Sequence, residues 1–484
     1  MAFEKKEITK KSENISEWYN DVVQKAQLAD YGPAKGTMII RPYGYALWEN
    51  TQKILDGMFK SYGVQNAYFP IFIPMSFLKR EKEHVEGFSP ELAVVTIGGG
   101  EELAEPLVVR PTSETIMYDS YAKWIQSWRD LPVLINQWNN VVRWEKRTYL
   151  FLRTTEFLWQ EGHTAHATEE EAIEMQTKAL EWYRTTYEDY FAMPVIVGKK
   201  SESEKFAGAK TTFTAEALMP DGKALQSCTS HNLGQNFSKA FNISFQNKEG
   251  KNAFVWQTSW GFATRSLGGL FLTHGDDQGL ILPPKIAPYQ VVILPVYMGK
   301  LTDEQKEKVH TASQAIYQSL DRSLVRAHVD KKTESESIGR LRNEWELKGV
   351  PIRIELGNQE VQNGEVTMVR RDTLEKITVK QSDLAPAVQK VLEEIQKSLF
   401  DNAKKFLDEH THEVDTYEEF KKIMETSRGF LKALWCEDSV CEEKIKEETK
   451  ASTRCLEFGV PEEDGVCIYC GKPAKHRWVF AQAY

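Results

Sequence analysis

The stretch from Leu131 to His166 constrains the fold of this chain more than any other. It reads LPVLINQWNNVVRWE, then a polar tip over Lys146–Tyr149, then LFLRTTEFLWQEGHTAH. Two β-rich runs around one charged loop predict a long antiparallel hairpin. Upstream, apolar spacing predicts a helix from about Ser16 to Leu28, with Trp18, Val22 and Val23 on its apolar side. A strand running into a turn follows in GTMIIRPYG (Gly36–Gly44), then a helix over Tyr45–Tyr62. AYFPIFIP (Ala67–Pro74) reads as a buried strand broken by two prolines. Downstream, Thr168 with Glu171 three residues on forms a capping box that opens a helix reaching Phe191.

After GLILPPKIAP the pattern changes. VVILPVY, a helix over Thr302–Leu320, VRAHVD, a helix through Trp345, VPIRIEL and EVTMVRR alternate as a small α/β domain with a mixed sheet. A long charged helix (Leu384–Glu409) leads to a cysteine-rich end. The 484 residues are too many for one ordinary core. The expected division is 1–286, 287–400 and 401–484.

Net charge is −9, which excludes a protein that coats nucleic acid non-specifically but permits a local basic surface. The opening residues lack the apolar core of a secretory signal, and no apolar run approaches a membrane span. A cytoplasmic protein without membrane attachment is expected. Disulfides are not expected there, yet five of six cysteines fall between Cys436 and Cys470. Cys436 with Cys441, and Cys467 with Cys470, make two close pairs suited to one tetrahedral, structural Zn²⁺. The plain alternative is four buried or free thiols. Cys455 is the spare.

Three further segments carry chemistry, each with an ordinary structural explanation beside it. In RPTSE, Thr112 and Glu114 at i and i+2 on an extended strand would share one face and hold an ammonium; a capped loop explains them equally. In VVRWE, Arg143 and Glu145 would share a strand face, the guanidinium bracing a phosphate and the carboxylate accepting from an amine. Arg153 sits on the returning strand, and a solvated salt-bridge ladder is the alternative. In SWGFATRSLGG, Arg265 is a fixed cation at a helix start beside Gly268 and Gly269, which a helix-end ion pair also explains.

Together these segments resemble the class II aminoacyl-tRNA synthetases. AYFPIFIP is similar to that family's motif 1, with Pro70 at the dimer interface; VVRWE with FLRTTEF to motif 2; GFATR and its helix to motif 3. RPTSE, FLWQEGHTAH, EKFAGA, TSHNLGQNF and SWGFATR resemble prolyl-tRNA synthetases of the archaeal and eukaryotic form, over about Trp18 to Tyr484. The TSE, EGHTAH and TSH contexts fit the prolyl pattern rather than the threonyl one, despite Cys228 lying near His231.

The resemblance implies an α/β multi-domain chain: an antiparallel-sheet class II catalytic core, an α/β anticodon-binding domain and a small α+β four-cysteine zinc domain. It implies ligation of L-proline to tRNA(Pro) with ATP and Mg²⁺, through a prolyl-adenylate, by a homodimer. The stretch from His166 to Ser259 is too short for an editing insertion. Thr112 and Glu114 would bind the proline imino group, and Arg143 the proline carboxylate and α-phosphate. Glu145 would read adenine, while Arg153, Thr154, Gln226 and Thr229 would contact ATP and Gln226 would help hold Mg²⁺. Phe157, Trp159, Glu161, His163, Phe206 and His231 would line the proline pocket, with Ser259 and Gly261 as its floor. Arg265 would pair with the γ-phosphate, and Arg143 and Arg265 would carry catalysis. Glu346, Lys348 and Arg353 would reach the anticodon. Tyr484 would tuck back toward the active site. Cys228 departs from the glycine expected beside the adenylate.

Overall fold

The computed structural model describes residues 8–78, 92–297, 301–334 and 336–484. The expected hairpin is there: Val133–Val142 pairs antiparallel with Glu156–His166, in register from Val133↔Ala165 to Val142↔Glu156. Its loop is longer than the polar tip predicted. Pairing stops at Val142: the Arg143 N–H still donates to the Thr155 carbonyl (2.8 Å), but the Thr155 N–H turns away to the Gly36 carbonyl (2.8 Å). Arg143, Glu145 and Arg153 therefore lie outside both strands, not on them as the sequence suggested.

Beside the hairpin lie Trp256–Ala263, Ala224–Gly234, Thr211–Leu218 and Ile196–Lys199, all antiparallel. The helices Pro42–Tyr62 and Glu169–Thr185 pack on this sheet. Phe59 meets Trp182 at 5.1 Å and Trp260 at 4.9 Å, and each such buried ring stabilises by roughly 1.5–3 kcal/mol. Gly162 lies directly under the Trp260 indole: a Cβ there would come within 2.2 Å of the ring. Only glycine lets the strand and the indole approach so closely.

Several local expectations shift. The first helix is Ile15–Lys25, capped by Asn14. The second starts at Pro42, where a missing N–H costs nothing. Only Phe72–Pro74 of AYFPIFIP is strand, at the edge of a three-stranded sheet where a proline is tolerated, and Phe72 is exposed rather than buried as the sequence suggested. Glu114 opens a helix, Glu114–Trp124, so the i, i+2 strand geometry for Thr112 and Glu114 is replaced by a turn into a helix.

The α/β domain has a five-stranded mixed sheet in the order Ala327–Val329, Val291–Pro295, Ile352–Leu356, Glu365–Arg370, Lys376–Lys380. The Leu384–Glu409 helix then runs on past residue 400. At the C-terminal end, Thr411–Glu413, Phe430–Trp435, His476–Ala481 and Ser452–Glu457 do not form a separate sheet. Leu456 pairs with Lys199 and Glu457 with Gly198, so one eleven-stranded sheet runs from the hairpin into the four-cysteine region. The buried Glu216 carboxylate fastens this junction, pairing with the Lys200 ammonium (3.0 Å) and accepting from Arg454 (2.8 Å).

Candidate active site and four-cysteine cluster

The sheet cradles a cavity of about 310 Å³. Every pocket residue named from the sequence reaches its wall: Thr112, Glu114, Arg143, Glu145, Arg153, Thr154, Phe157, Trp159, Glu161, His163, Phe206, Gln226, Thr229, His231, Ser259, Gly261 and Arg265. They come from the hairpin and its loop, the turn before Glu114, the loop before Thr211 and two neighbouring strands. Residues more than a hundred positions apart thus share one surface.

One end of the cavity is built to accept a cation. The Thr112 hydroxyl donates to Glu114, and the Ser113 N–H (3.0 Å) and hydroxyl donate to Glu161. Asn139 donates to the same carboxylate (2.6 Å), and His163 Nε2 lies 3.0 Å from it. Burial alone would raise the Glu161 pKa, but His163 and these donors overcome it and hold the group at about 2. Burial would lower His163, yet the Glu114 and Glu161 carboxylates raise it instead. His163 Nδ1 meets the Tyr118 hydroxyl at 3.2 Å, so both ring nitrogens are occupied. Glu114, Glu161 and His163 have the spacing of a metal ligand set, but a histidine engaged at both nitrogens has no lone pair to give one.

The other end gathers positive charge. Arg265 donates to the Leu152 (2.6 Å) and Gln226 (3.2 Å) carbonyls, which hold it rigidly at a helix start. Burial, then the like charges of Arg143 and Arg153, pull its pKa down to about 10. Arg143 donates to the Pro111 carbonyl (3.1 Å) and lies over Trp159 at 5.2 Å. Arg153 holds Glu145 at 2.7 Å. Three guanidiniums that disfavour one another around one cavity suit a polyanion.

Between the two ends stand aromatic walls. His231 stacks on Phe206 at 4.6 Å, with its nitrogens 2.9 Å from the Thr212 and Thr229 hydroxyls. Burial, with His163 and Arg143 nearby, lowers its pKa to about 3, so it is a neutral ring. The Ser259 hydroxyl is buried in this wall without a protein partner. Cys228 also lines the cavity, its thiol pushed well up by burial.

At the other end of the sheet, Cys436, Cys441, Cys467 and Cys470 place their sulfurs within 4.8 Å of one another. Cys436 lies 3.7 Å from both Cys441 and Cys470. A tetrahedral site with Zn–S near ~2.3 Å has an S–S edge of roughly 3.8 Å, so the quartet fits that ion. Cys455 packs in the core away from it.

The core region, residues 96–273, matches the family model described as "tRNA synthetase class II core domain (G, H, P, S and T)". Residues 290–391 match "Anticodon binding domain", and 417–484 match "Prolyl-tRNA synthetase, C-terminal". A protein of Chlorobium luteolum named proline–tRNA ligase is 54% identical, over 99% of each chain. This chain belongs to the prolyl-tRNA synthetase family. Proteins of the same name from Clostridium novyi and Natranaerobius thermophilus are 52% and 51% identical, each over 99% of this chain and 98% of theirs.

Other prolyl-tRNA synthetase signatures fall in quieter places. Arg110 of RPTSE is a brace, donating to the Phe69 (2.7 Å) and Asn140 (2.8 Å) carbonyls. Tyr484 is outside the cavity wall; its N–H donates to Ala224 (3.1 Å), two residues before Gln226. Lys348 is buried on Glu344 (2.8 Å), while Arg353 pairs with Glu346 (2.7 Å) and Glu355 (2.9 Å). Sequence reasoning missed Ser113 and Asn139, which hold Glu161, Thr212, which holds His231, and Glu204 in the wall. Glu204 opens the EKFAGA segment, the one signal that pointed there.

Proposed function

We propose that this chain joins L-proline to tRNA(Pro) at the expense of ATP, through a prolyl-adenylate. The observation that carries this reading is one cavity with a carboxylate end, an arginine end and aromatic walls between. Proline has a cationic secondary amine, an apolar ring and a carboxylate, and these match that order. Glu114, oriented by Thr112, receives the imino group; Phe157, Trp159, Phe206 and His231 enclose the ring; Glu161 and His163 line the pocket and brace the turn at Ser113. Arg143, between the two ends, takes the proline carboxylate and the α-phosphate.

The carboxylate oxygen attacks the α-phosphorus and pyrophosphate leaves. Negative charge moves onto phosphoryl oxygens where Arg143, Arg153 and Arg265 already stand, so positioning and electrostatics supply the acceleration. Thr154, Gln226 and Thr229 line the nucleotide side, and Glu145 exchanges Arg153 for the adenine amine. Magnesium arriving with ATP would spread phosphate charge, and Gln226 is the side chain proposed beside it. The ribose hydroxyl of the tRNA's terminal adenosine then attacks the prolyl carbonyl and releases AMP.

The four cysteines would hold a structural Zn²⁺, making the C-terminal part a metal-dependent domain of the archaeal and eukaryotic form. The proposed domains are 1–286, 287–400 and 401–484. No editing insertion is proposed: the sheet strands and one long helix occupy the stretch between His166 and Ser259. Exposed Tyr68 and Phe72 around Pro70 support a homodimer. The Arg353–Glu346 pair with Lys348 is the proposed approach to the anticodon. A cytoplasmic site of action is part of this proposal; among the described residues no helix is long and apolar enough to cross a membrane.

Charging assays with labelled proline and transcripts of tRNA(Pro) and tRNA(Thr) test this reading. Acid-precipitable prolyl-tRNA with tRNA(Pro) alone is expected; charging of neither transcript by metal-replete protein would refute it.

A further inference from the structure

The helix Ser439–Thr449 carries Cys441, and two of its side chains, Glu442 and Lys446, reach across to the 201–206 loop of the core. Glu442, buried, accepts from the hydroxyls of Ser203 and Thr453, with Ser201 3.4 Å away. One turn on, Lys446 meets the Glu204 carboxylate at 3.4 Å. Ser201, Ser203 and Glu204 belong to the loop between the strands Ile196–Lys199 and Thr211–Leu218. That same loop carries Phe206 to its stack on His231, and both Glu204 and Phe206 line the cavity.

We infer that Glu442, aided by Lys446, is a positioning residue for proline binding: it staples the 201–206 loop so that Phe206 closes the wall of the amino-acid pocket. This rests on the proposed function of that pocket. A carboxylate buried among hydroxyls from two domains is a strong, directional anchor, and removing it leaves those hydroxyls unpaired. The proposed nucleotide contacts are the hairpin loop, Gln226, Thr229 and Arg265, none of which bonds to Glu442 or Lys446. Loss of Glu442 therefore weakens proline binding selectively.

The test uses the full-length, metal-replete protein with Glu442→Ala, Glu442→Gln and Ser203→Ala. Each is measured by proline-dependent ATP–pyrophosphate exchange, by bound metal, and by hydrogen exchange of the 201–209 segment without ligands. Glu442→Ala and Ser203→Ala should raise the proline KM about tenfold, with kcat and the ATP KM within about twofold. Glu442→Gln, which keeps an acceptor, should recover to within about threefold of wild type. Hydrogen exchange should quicken in 201–209 of Glu442→Ala but not in Phe430–Trp435. An unchanged proline KM with metal retained overturns the inference, as does a parallel change in both KM values. If the wild type exchanges with no amino acid, the functional reading fails instead; the staple is then judged by hydrogen exchange, and unaltered exchange in 201–209 sinks it too.

Discussion

The amino-acid pocket and the four-cysteine cluster sit on one continuous sheet, yet they handle buried ionisable groups in opposite ways. In the pocket, buried ionisable groups are held by the protein's own hydrogen bonds: Glu161 by His163, Ser113 and Asn139, and Arg265 by two carbonyls. In the cluster, four sulfurs face one another, and as thiolates they would repel. The pocket is organised by its own hydrogen bonds, whereas the cluster would be completed by the proposed ion. Arginines and carboxylates should thus be replaceable without unfolding, and cysteines should not.

The largest effect should come from Arg265→Ala, with ATP–pyrophosphate exchange falling by about 10²–10³ in kcat while the melting curve stays near wild type. Arg265→Lys should rescue little, because two backbone carbonyls hold the fork geometry. Unfolding of Arg265→Ala would erase the contrast. Next is metal removal. Chelation or Cys467→Ser should abolish the near-ultraviolet signal of the perpendicular Trp435–Trp478 pair (5.1 Å, 89°) and hydrogen-exchange protection in Phe430–Trp435. Protection in Glu156–His166 should persist, and its loss would mean the two regions are one cooperative unit.

Gly261→Ala is the finer probe. A Cβ at Gly261 would meet the Gln160 carbonyl at 3.4 Å and Trp159 at 3.5 Å, ordinary contacts for the protein, so the space it takes belongs to the cavity. Unchanged stability is expected, with the proline KM up about tenfold. A normal KM would show that Gly261 does not touch the substrate.

The motifs that carry the pocket were legible because each is short and each places its chemistry within a few residues. RPTSE, the hairpin and GFATR supplied residues that the fold brings to one cavity wall, even where the local geometry differed. Arg143 and Glu145 were read onto a strand because sequence alternation does not reveal where a ladder ends. Glu114 was read as extended, but the chain already turns at Ser113 (φ −110°, ψ 6°) and Glu114 opens a helix. The fusion of the C-terminal strands with the catalytic sheet left no trace in the sequence. The Leu456↔Lys199 pairing is backbone to backbone, and such hydrogen bonds carry no side-chain signature. Glu442 and Ser203, 239 positions apart, were invisible for the same reason of distance along the chain.

The smallest expected effect concerns pH. The His163 pKa is raised in the fold, so its contribution to stability is full below the ordinary histidine value of about 6.5. It is lost as pH rises through the higher folded value. Glu161, held at about 2, contributes fully above the ordinary carboxylate range and loses its contribution only as pH falls toward that value. The melting-temperature gap between wild type and His163→Asn should therefore be wider at pH 6 than at pH 9. A gap that widens with pH would reverse the assignment of charge in the pocket.

This cavity should activate proline and no other amino acid. Amino-acid-dependent ATP–pyrophosphate exchange, run with each standard amino acid on wild type and on Arg143→Ala, tests it most directly. Exchange with proline alone, abolished in Arg143→Ala, is the predicted result. Exchange with threonine, or none with any amino acid from folded, metal-replete protein, would contradict it.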